Sequence, residues 1–328
     1  MSSSRLENIW YEGRPISLLL IPVSWLFCLL VMLRRAAYRA GILRTHRIGV
    51  PVIIVGNLTV GGTGKTPLVI WIANYLTEHG MHPGIVSRGY GGKARQWPQQ
   101  VRRDSDPVVV GDEAVLIARY SKCPMAVGPD RVAAANALIS SSNVDVILSD
   151  DGLQHYRLGR DIEILVLDGI RRFGNGFCLP AGPLREPLSR RELVDMVVVN
   201  GLGGRGEHSM NYECDAITNL HEPQKRAGFA DFEGKLVHAV AGIAYPERFF
   251  SMLRRKGLRV IEHIYPDHHQ FTDKDLQFGD VAPVLMTEKD AVKCERFAAA
   301  NHWSVPVRAV VDDAFGVRLS SLLAEYQS

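Results

Sequence analysis

The chain has 328 residues, of which 46% are apolar and 22% charged, with a formal net charge of +3. This is an ordinary globular composition, long enough for one large or two medium domains and too weakly basic to single out nucleic acid as a partner. Five cysteines (Cys28, Cys123, Cys178, Cys214 and Cys294) are scattered without C-x-x-C spacing, which argues against a disulfide framework or a zinc site and for a reducing compartment.

The first element is an uncharged run of 18 residues, "ISLLLIPVSWLFCLLVML" (Ile16 to Leu33), followed by the basic "RRAAYRAGILRTHR". As a helix it would span roughly 27 Å at 1.5 Å per residue, just short of a bilayer core. No small-residue cleavage site follows, so a signal peptide is disfavoured. Three readings remain open: a spanning helix, a helix buried in the protein, and a helix dipped into one leaflet. Pro22 and Ser24 interrupt the run and favour the last. Arg34, Arg35, Arg39, Arg44 and Arg47 would then face anionic headgroups, each worth on the order of 1 kcal/mol near the surface.

Next comes "VPVIIVGN" (Val50 to Asn57), a β-branched apolar run that reads as a buried parallel strand. The loop after it, "GNLTVGGTGKTP", lacks the opening glycine of G-x-x-x-x-G-K-[ST], because Thr59 stands in its place. Its working parts are nevertheless present. Gly61, Gly62 and Gly64 permit φ > 0 and close approach of backbone N–H groups to phosphate, with Val60 and Thr63 between and before them. Lys65 can reach the β- and γ-phosphates, and the Thr66 hydroxyl can ligate Mg²⁺. "TPLVIWIANYLTEHG" continues with helical spacing, Pro67 in its first turn and Gly80 at its end. The order of strand, glycine loop, Lys-Thr and helix predicts a nucleotide cradle.

Downstream, "HPGIVSRG", "DPVVVGD", "PMAVG", "VDVILSDD", "IEILVLDG" and "DMVVVNG" read as short buried strands separated by helical patterns. "GLGGRGEHSMNYECD" (Gly201 to Asp215) reads as a connection. "KLVHAVAGI", "LRVIEHIYP", "PVLMTEKD" and "VPVRAVVDD" then read as strands of a second unit. The expected fold is α/β: a P-loop NTPase-like parallel-sheet domain (48–202), a smaller α/β domain (203–328) and an N-terminal membrane-associating helical segment (1–47). Ligands should collect beyond the carboxyl ends of the strands.

Asp150 and Asp151 end an apolar strand at the position where P-loop proteins hold Mg²⁺, although a pair that only caps the next helix fits the same letters. His155 nearby is either close to the site or structural. Asp112 and Glu113 open a helix, where they complement its dipole, or else Asp112 is a general base for an attacking hydroxyl. His268 and His269 in "YPDHHQF" point in different directions in most backbones and seldom share one metal. "SRGYGGK", with Arg88 and Tyr90, and "RRFGNGFCLPAGPLREP" look like anion-accepting loops, with ordinary turns as the plainer reading.

Taken together, "GNLTVGGTGKTP", "SRGYGGK", "GDEAVL", "DDGLQHYRL", "RRFGNG", "LPAGPLRE", "DHHQF" and "MTEKDAVK" resemble the tetraacyldisaccharide 4′-kinase family of Gram-negative bacteria, over almost the whole chain and in order. Thr59 is usual in that family. The resemblance implies ATP- and Mg²⁺-dependent phosphorylation of the 4′-hydroxyl of a tetraacylated glucosamine disaccharide 1-phosphate, yielding lipid IVA at the cytoplasmic face of the inner membrane. It implies a catalytic dyad of Asp112 and His268 with Asp112 nearest the hydroxyl, metal service by Asp150 and Asp151, and membership of the site for Arg131 and Glu186. His269 follows the first histidine where some relatives differ. No obligate protein partner is implied. A partitioning-type ATPase would carry lysine where Val60 stands, and "TEKD" (Thr287 to Asp290) misplaces the lysine of a guanine-reading N-K-x-D.

Overall fold

The computed structural model describes residues 10–11, 16–214 and 216–327. Residues 1–9 and 12–15 of the expected membrane-associating segment, and Asp215 at the end of the expected connection, lie outside the described residues. The first sheet starts with Val52–Gly56 (β1), Pro83–Ser87 (β2), Gln99–Val101 (β3), Met125–Val127 (β4), Val146–Asp150 (β5), Ile162–Asp168 (β6), Met196–Asn200 (β7) and His208–Glu213 (β8). A second sheet holds Ile217–Asn219 (β9), Arg226–Ala227 (β10), Leu236–Ala241 (β11), Arg259–Ile264 (β12), Val284–Thr287 (β13) and His302–Val305 (β14). The last strand, Arg308–Val311 (β15), returns to the first sheet, whose order is β15-β8-β7-β6-β1-β5-β2-β4-β3.

In this sheet only the two edge strands run antiparallel, β15 against β8 and β3 against β4. The central strands β1, β2, β5 and β6 are buried along their whole lengths, as an apolar parallel sheet covered on both faces requires. β1 lies between β5 and β6, and the chain departs to opposite sides of it. Its carboxyl end is therefore the crevice where such sheets bind ligands.

Two expectations change. "DPVVVGD" is not a strand: Pro107–Val110 is a short helix, because Asp106 accepts the N–H of Val108 at 2.8 Å and Pro107 occupies its first turn. Gly111, at φ 96°, then opens the helix Asp112–Ser121, so Asp112 stands at a helix start and not at a strand end. In addition, the boundary expected at 202 does not separate the sheets. β8 and β15 both belong to the larger one, and the helix Asp313–Gln327 packs Phe315 against Trp71 of the helix Lys65–Glu78. The smaller sheet is thus inserted into the larger unit.

Among the described residues, Ile21–Arg39 is the one helix long and apolar enough to cross a membrane. It is not buried in the protein: Ser24 is enclosed and donates its hydroxyl to the Cys178 carbonyl at 2.7 Å, while Trp25 is 67% exposed and Leu26, Leu29, Leu30 and Leu33 are also exposed. One thin edge, including Phe27 and Cys28, packs on the core.

Candidate active site

The phosphate cradle is held by its own backbone demands. Nδ2 of Asn57 donates to the carbonyls of Thr59 at 2.8 Å and Gly61 at 3.2 Å, which curls the loop inward. Gly61 and Gly64 take φ of 105° and 97°. A Cβ at Gly64 would lie 2.1 Å from the Tyr212 hydroxyl, and one at Gly61 2.5 Å from that of Tyr245, so both must be glycine. Thr59 is buried and has no positive φ; its segment is clamped from outside by Val60 N–H to the Pro183 carbonyl at 2.9 Å and Arg185 N–H to the Leu58 carbonyl at 2.6 Å. A glycine is unnecessary there because the loop "LPAGPLRE" supplies the support. The Thr63 hydroxyl is buried without a hydrogen-bond partner.

The adjacent carboxylates at the end of β5 divide their tasks. Asp150 is buried; Ser87 donates to its Oδ2 at 3.1 Å, and its Oδ1 has no hydrogen-bond partner. Burial, reinforced by the nearby charges of Glu113 and Asp151, pushes its carboxyl up to about 7 despite Lys65. A buried carboxylate oxygen in this condition fits a divalent cation. Among the described residues no cluster of three or more His, Cys, Asp or Glu forms a metal cage, so hydroxyl, phosphate and water oxygens would complete the shell. Asp151, at φ 48°, is instead engaged by Lys65 Nζ at 3.4 Å and by Arg185 at 3.1 Å, and its carbonyl accepts from Arg131 at 3.1 Å. Burial opposes its charge, but those cations outweigh burial and bring it down to about 2.

Across the crevice, the smaller unit delivers His268. Its Nδ1 lies 3.2 Å from both carboxylate oxygens of Asp112, and its ring packs on Tyr90 with centroids 4.9 Å apart. Lys289 Nζ sits 3.4 Å from its Nε2 and also donates to Glu113 and Asp267, at 3.0 Å each. Burial raises the Asp112 carboxyl, yet the His268 hydrogen bond and the charges of Lys289, His268 and Lys293 outweigh it and hold the group below its ordinary value. The Asp112 hydrogen bond in turn raises His268 above its usual value, against burial and Lys289.

A cavity of about 1510 Å³ joins these parts, lined by Val60, Gly61, Gly62, Gly64, Lys65 and Thr66 of the cradle and by Asp150, Asp151 and His268. Arg88, Tyr90, Arg131 and His155 also line it. His155 is pushed down to about 4 by burial and the Arg131 charge, so it is neutral there. Two expected residues fall elsewhere. Asp112 does not line this cavity but a smaller one of about 440 Å³, which His268 also lines. Glu186 is buried off the cavity, accepting the Tyr156 hydroxyl at 2.6 Å beside Arg190. His269 is occupied by Asp275 at 3.5 Å and the rings of Tyr265 and Phe271. Sequence reasoning missed Arg185 and Lys289; both sat inside quoted motifs, as the basic residues beside Glu186 and Asp290.

A P-loop whose lysine is set by one carboxylate, a second carboxylate with a free buried oxygen, and an Asp–His pair arriving partly from an inserted unit define a nucleotide-dependent phosphotransferase. A phosphoryl donor would sit in the cradle and an acceptor hydroxyl at the pair. Residues 16–324 match the model of the family described as Tetraacyldisaccharide-1-P 4′-kinase. The chain is 54% identical over 323 residues to the tetraacyldisaccharide 4′-kinase of Nitrosococcus oceani, covering 98% of this chain and 95% of that one. It is 51% identical over 330 residues to that of Alkalilimnicola ehrlichii, covering 99% and 98%. The crystal structure of LpxK from Aquifex aeolicus in complex with ATP superposes with a TM-score of 0.79 at 26% identity, covering 94% of this chain and 99% of that one. This chain belongs to the tetraacyldisaccharide-1-P 4′-kinase family.

Proposed function

We propose that the protein transfers the γ-phosphoryl group of ATP to the 4′-hydroxyl of a tetraacyldisaccharide 1-phosphate, forming lipid IVA at the cytoplasmic face of the inner membrane. The observation that carries this reading is that one cavity is lined both by the cradle with Lys65 and by His268. The backbone N–H groups of the cradle and Lys65 hold the phosphates, and Arg88, Arg131 and Arg185 add positive charge around the transferring group. With its Nδ1 proton donated to Asp112, His268 carries its lone pair on Nε2, which the Lys289 ammonium approaches at 3.4 Å and which the acceptor hydroxyl would engage in its place. His268 takes the hydroxyl proton there as the new P–O bond forms, and the Asp112 carboxylate stabilises the resulting imidazolium. Thr66 and Asp150 would hold Mg²⁺, which when bound neutralises charge on the phosphates. Asp151 orients Lys65 and Arg185. Transfer of labelled phosphate from ATP to the disaccharide lipid, with and without Mg²⁺, tests the whole; no labelled lipid in the complete mixture would refute it.

The Asp150 assignment has its own consequence. Asp150→Asn removes a metal charge ligand and should lower kcat by roughly two orders of magnitude or more, since metal charge stabilisation is worth several kcal/mol. It should also shift the Mg²⁺ titration to higher concentration. Because the native carboxylate is buried with an unpartnered oxygen, the metal-free variant should melt no lower than the parent. A normal Mg²⁺ titration in Asp150→Asn would remove this residue from the metal site.

The helix Ile21–Arg39 is proposed to lie in one leaflet, its exposed leucines in the acyl layer and the following arginines on the headgroups. High salt should then release part of the protein from anionic vesicles and detergent the rest. Leu26→Glu with Leu30→Glu, both on the exposed face, should reduce vesicle partition sharply with little change in melting temperature. Unchanged sedimentation with vesicles would place the anchor elsewhere.

A further inference from the structure

The helix Glu288–Cys294 of the smaller unit carries two lysines four residues apart, one on each member of the Asp112–His268 pair. Lys289 reaches Nε2 of His268, and Lys293 Nζ lies 3.7 Å from Oδ2 of Asp112. Lys289 lines the larger cavity. Lys293 is different in kind. It is 8% exposed, does not line the larger cavity, and borders the smaller one. It therefore touches neither the cradle nor the place of the acceptor.

The surroundings of Lys293 explain why a buried ammonium persists there. Its Nζ is ion-paired at 2.7 Å with Asp290, which is fully buried, and lies 5.0 Å from the centre of the Phe271 ring. Asp290 is itself pinned: it accepts the Gly242 N–H at 2.8 Å and the Thr287 hydroxyl at 2.6 Å. Gly242 follows β11 and Thr287 ends β13, so the ammonium is referenced to the sheet of the smaller unit. Desolvating a lysine between two carboxylates is costly and persists only where the geometry returns it. Here the return is a fixed positive charge beside Asp112, on the same Oδ2 that His268 Nδ1 approaches at 3.2 Å.

We propose that Lys293 is a positioning residue for the phosphoryl transfer: anchored by Asp290, it keeps the Asp112 carboxylate ionised and squared on Nδ1 of His268. The proposal rests on the reading of the Asp112–His268 pair as the proton acceptor. The charged groups around the pair are Lys293 on Asp112, Asp267 and Lys289 on His268, Glu113 and Asp267 on Lys289, and Asp290 on Lys293; the Tyr90 ring lies against His268. Removing one cation from this set makes both members of the pair easier to protonate. The acid limb of the rate profile must then move to higher pH, because the pair accepts a proton only when unprotonated.

The test uses the full chain in detergent with ATP, Mg²⁺ and the disaccharide lipid. Lys293→Met keeps length and the Phe271 contact while removing the charge. It should lower kcat by roughly 10- to 100-fold, part of the ~10²–10⁴ that a positioned acid–base group supplies. KM for ATP and for lipid should be unchanged, and the acid limb should move up. Lys293→Arg should restore most of the rate and the limb. Independently of activity, the imidazole NMR titration of His268 should move to higher pH in Lys293→Met and return in Lys293→Arg. Equal loss at every pH with an unmoved limb, or an unmoved His268 titration, would overturn the proposal. If Lys293→Met melts early, Lys293→Gln carries the same readouts. Failure of the underlying reading has a separate signature, a near-normal rate in Asp112→Asn.

Discussion

Lys65→Ala is expected to abolish measurable transfer, with a loss of roughly 10³-fold or more, the scale on which a single cation at the transferring phosphoryl group contributes. The side chain is placed for this by Asp151, 3.4 Å away, and by the glycine backbone that starts its helix. Fold stability should hardly change, because Asp151 keeps Arg185 as a partner after Lys65 is removed. ATP affinity should fall as well as kcat, since the lysine acts on bound phosphates and on the transition state alike. Near-normal transfer by the alanine variant would sink the P-loop reading, and a melting curve recorded alongside separates this from unfolding.

Asp112→Asn should lower kcat by roughly 10²- to 10⁴-fold with ATP affinity nearly intact. The amide keeps the shape of the carboxylate but cannot balance an imidazolium, and its NH₂ can turn toward Nδ1 and leave the proton on Nε2, where the acceptor proton must go. His268→Ala should be as damaging. If the two act as a unit, the double variant should be far less impaired than the product of the single losses, whereas fully multiplicative losses mean independent roles. The pH dependence has a definite sign. His268 is raised by Asp112, and only its neutral form accepts a proton. Activity should therefore be absent on the acid side and appear as pH rises through a value above the ordinary ~6.5 of histidine. In Asp112→Asn the limb should fall back toward that ordinary value. A limb that stays in place would detach Asp112 from the titration.

The cradle was legible because all its determinants are local: strand, glycines, Lys65 and helix are consecutive. The Walker-type position of Asp150 was legible for the same reason. What was hidden depended on distant partners. "DPVVV" has strand composition, but Asp106 and Pro107 cap it into a helical turn, and that local polar contact outweighs the β-branched run. "HSMNYE" reads as loop because it is polar, yet it becomes β8 by pairing with β15, almost a hundred residues later in the chain. "VPVRAVVDD" was read as a strand but assigned to the wrong sheet, since the register of an edge strand is not written in its own letters. The contact of His268 with Asp112, and of Lys293 with the same carboxylate, follow from how the smaller unit meets the larger one. No spacing rule carries that information.

The return of β15 and the helix Asp313–Gln327 to the first sheet also bears on the order in which the protein matures during synthesis. Phe315, Leu319, Leu322 and Leu323 belong to the same core as Ile72 and Leu76 of the helix that begins with Lys65, and Tyr75 meets Ser320 at 3.0 Å. A nascent chain that has emerged only to about residue 305 holds every strand of the smaller sheet but leaves the edge of β8 opposite β7 without β15, and this helix uncovered. The inserted unit can close while the unit encoded ahead of it still waits, the reverse of simple N-to-C domain order. The helix that begins with Lys65 is therefore covered only after the whole smaller unit has been synthesised, so a chain ending before β15 should expose the apolar face of its cradle helix.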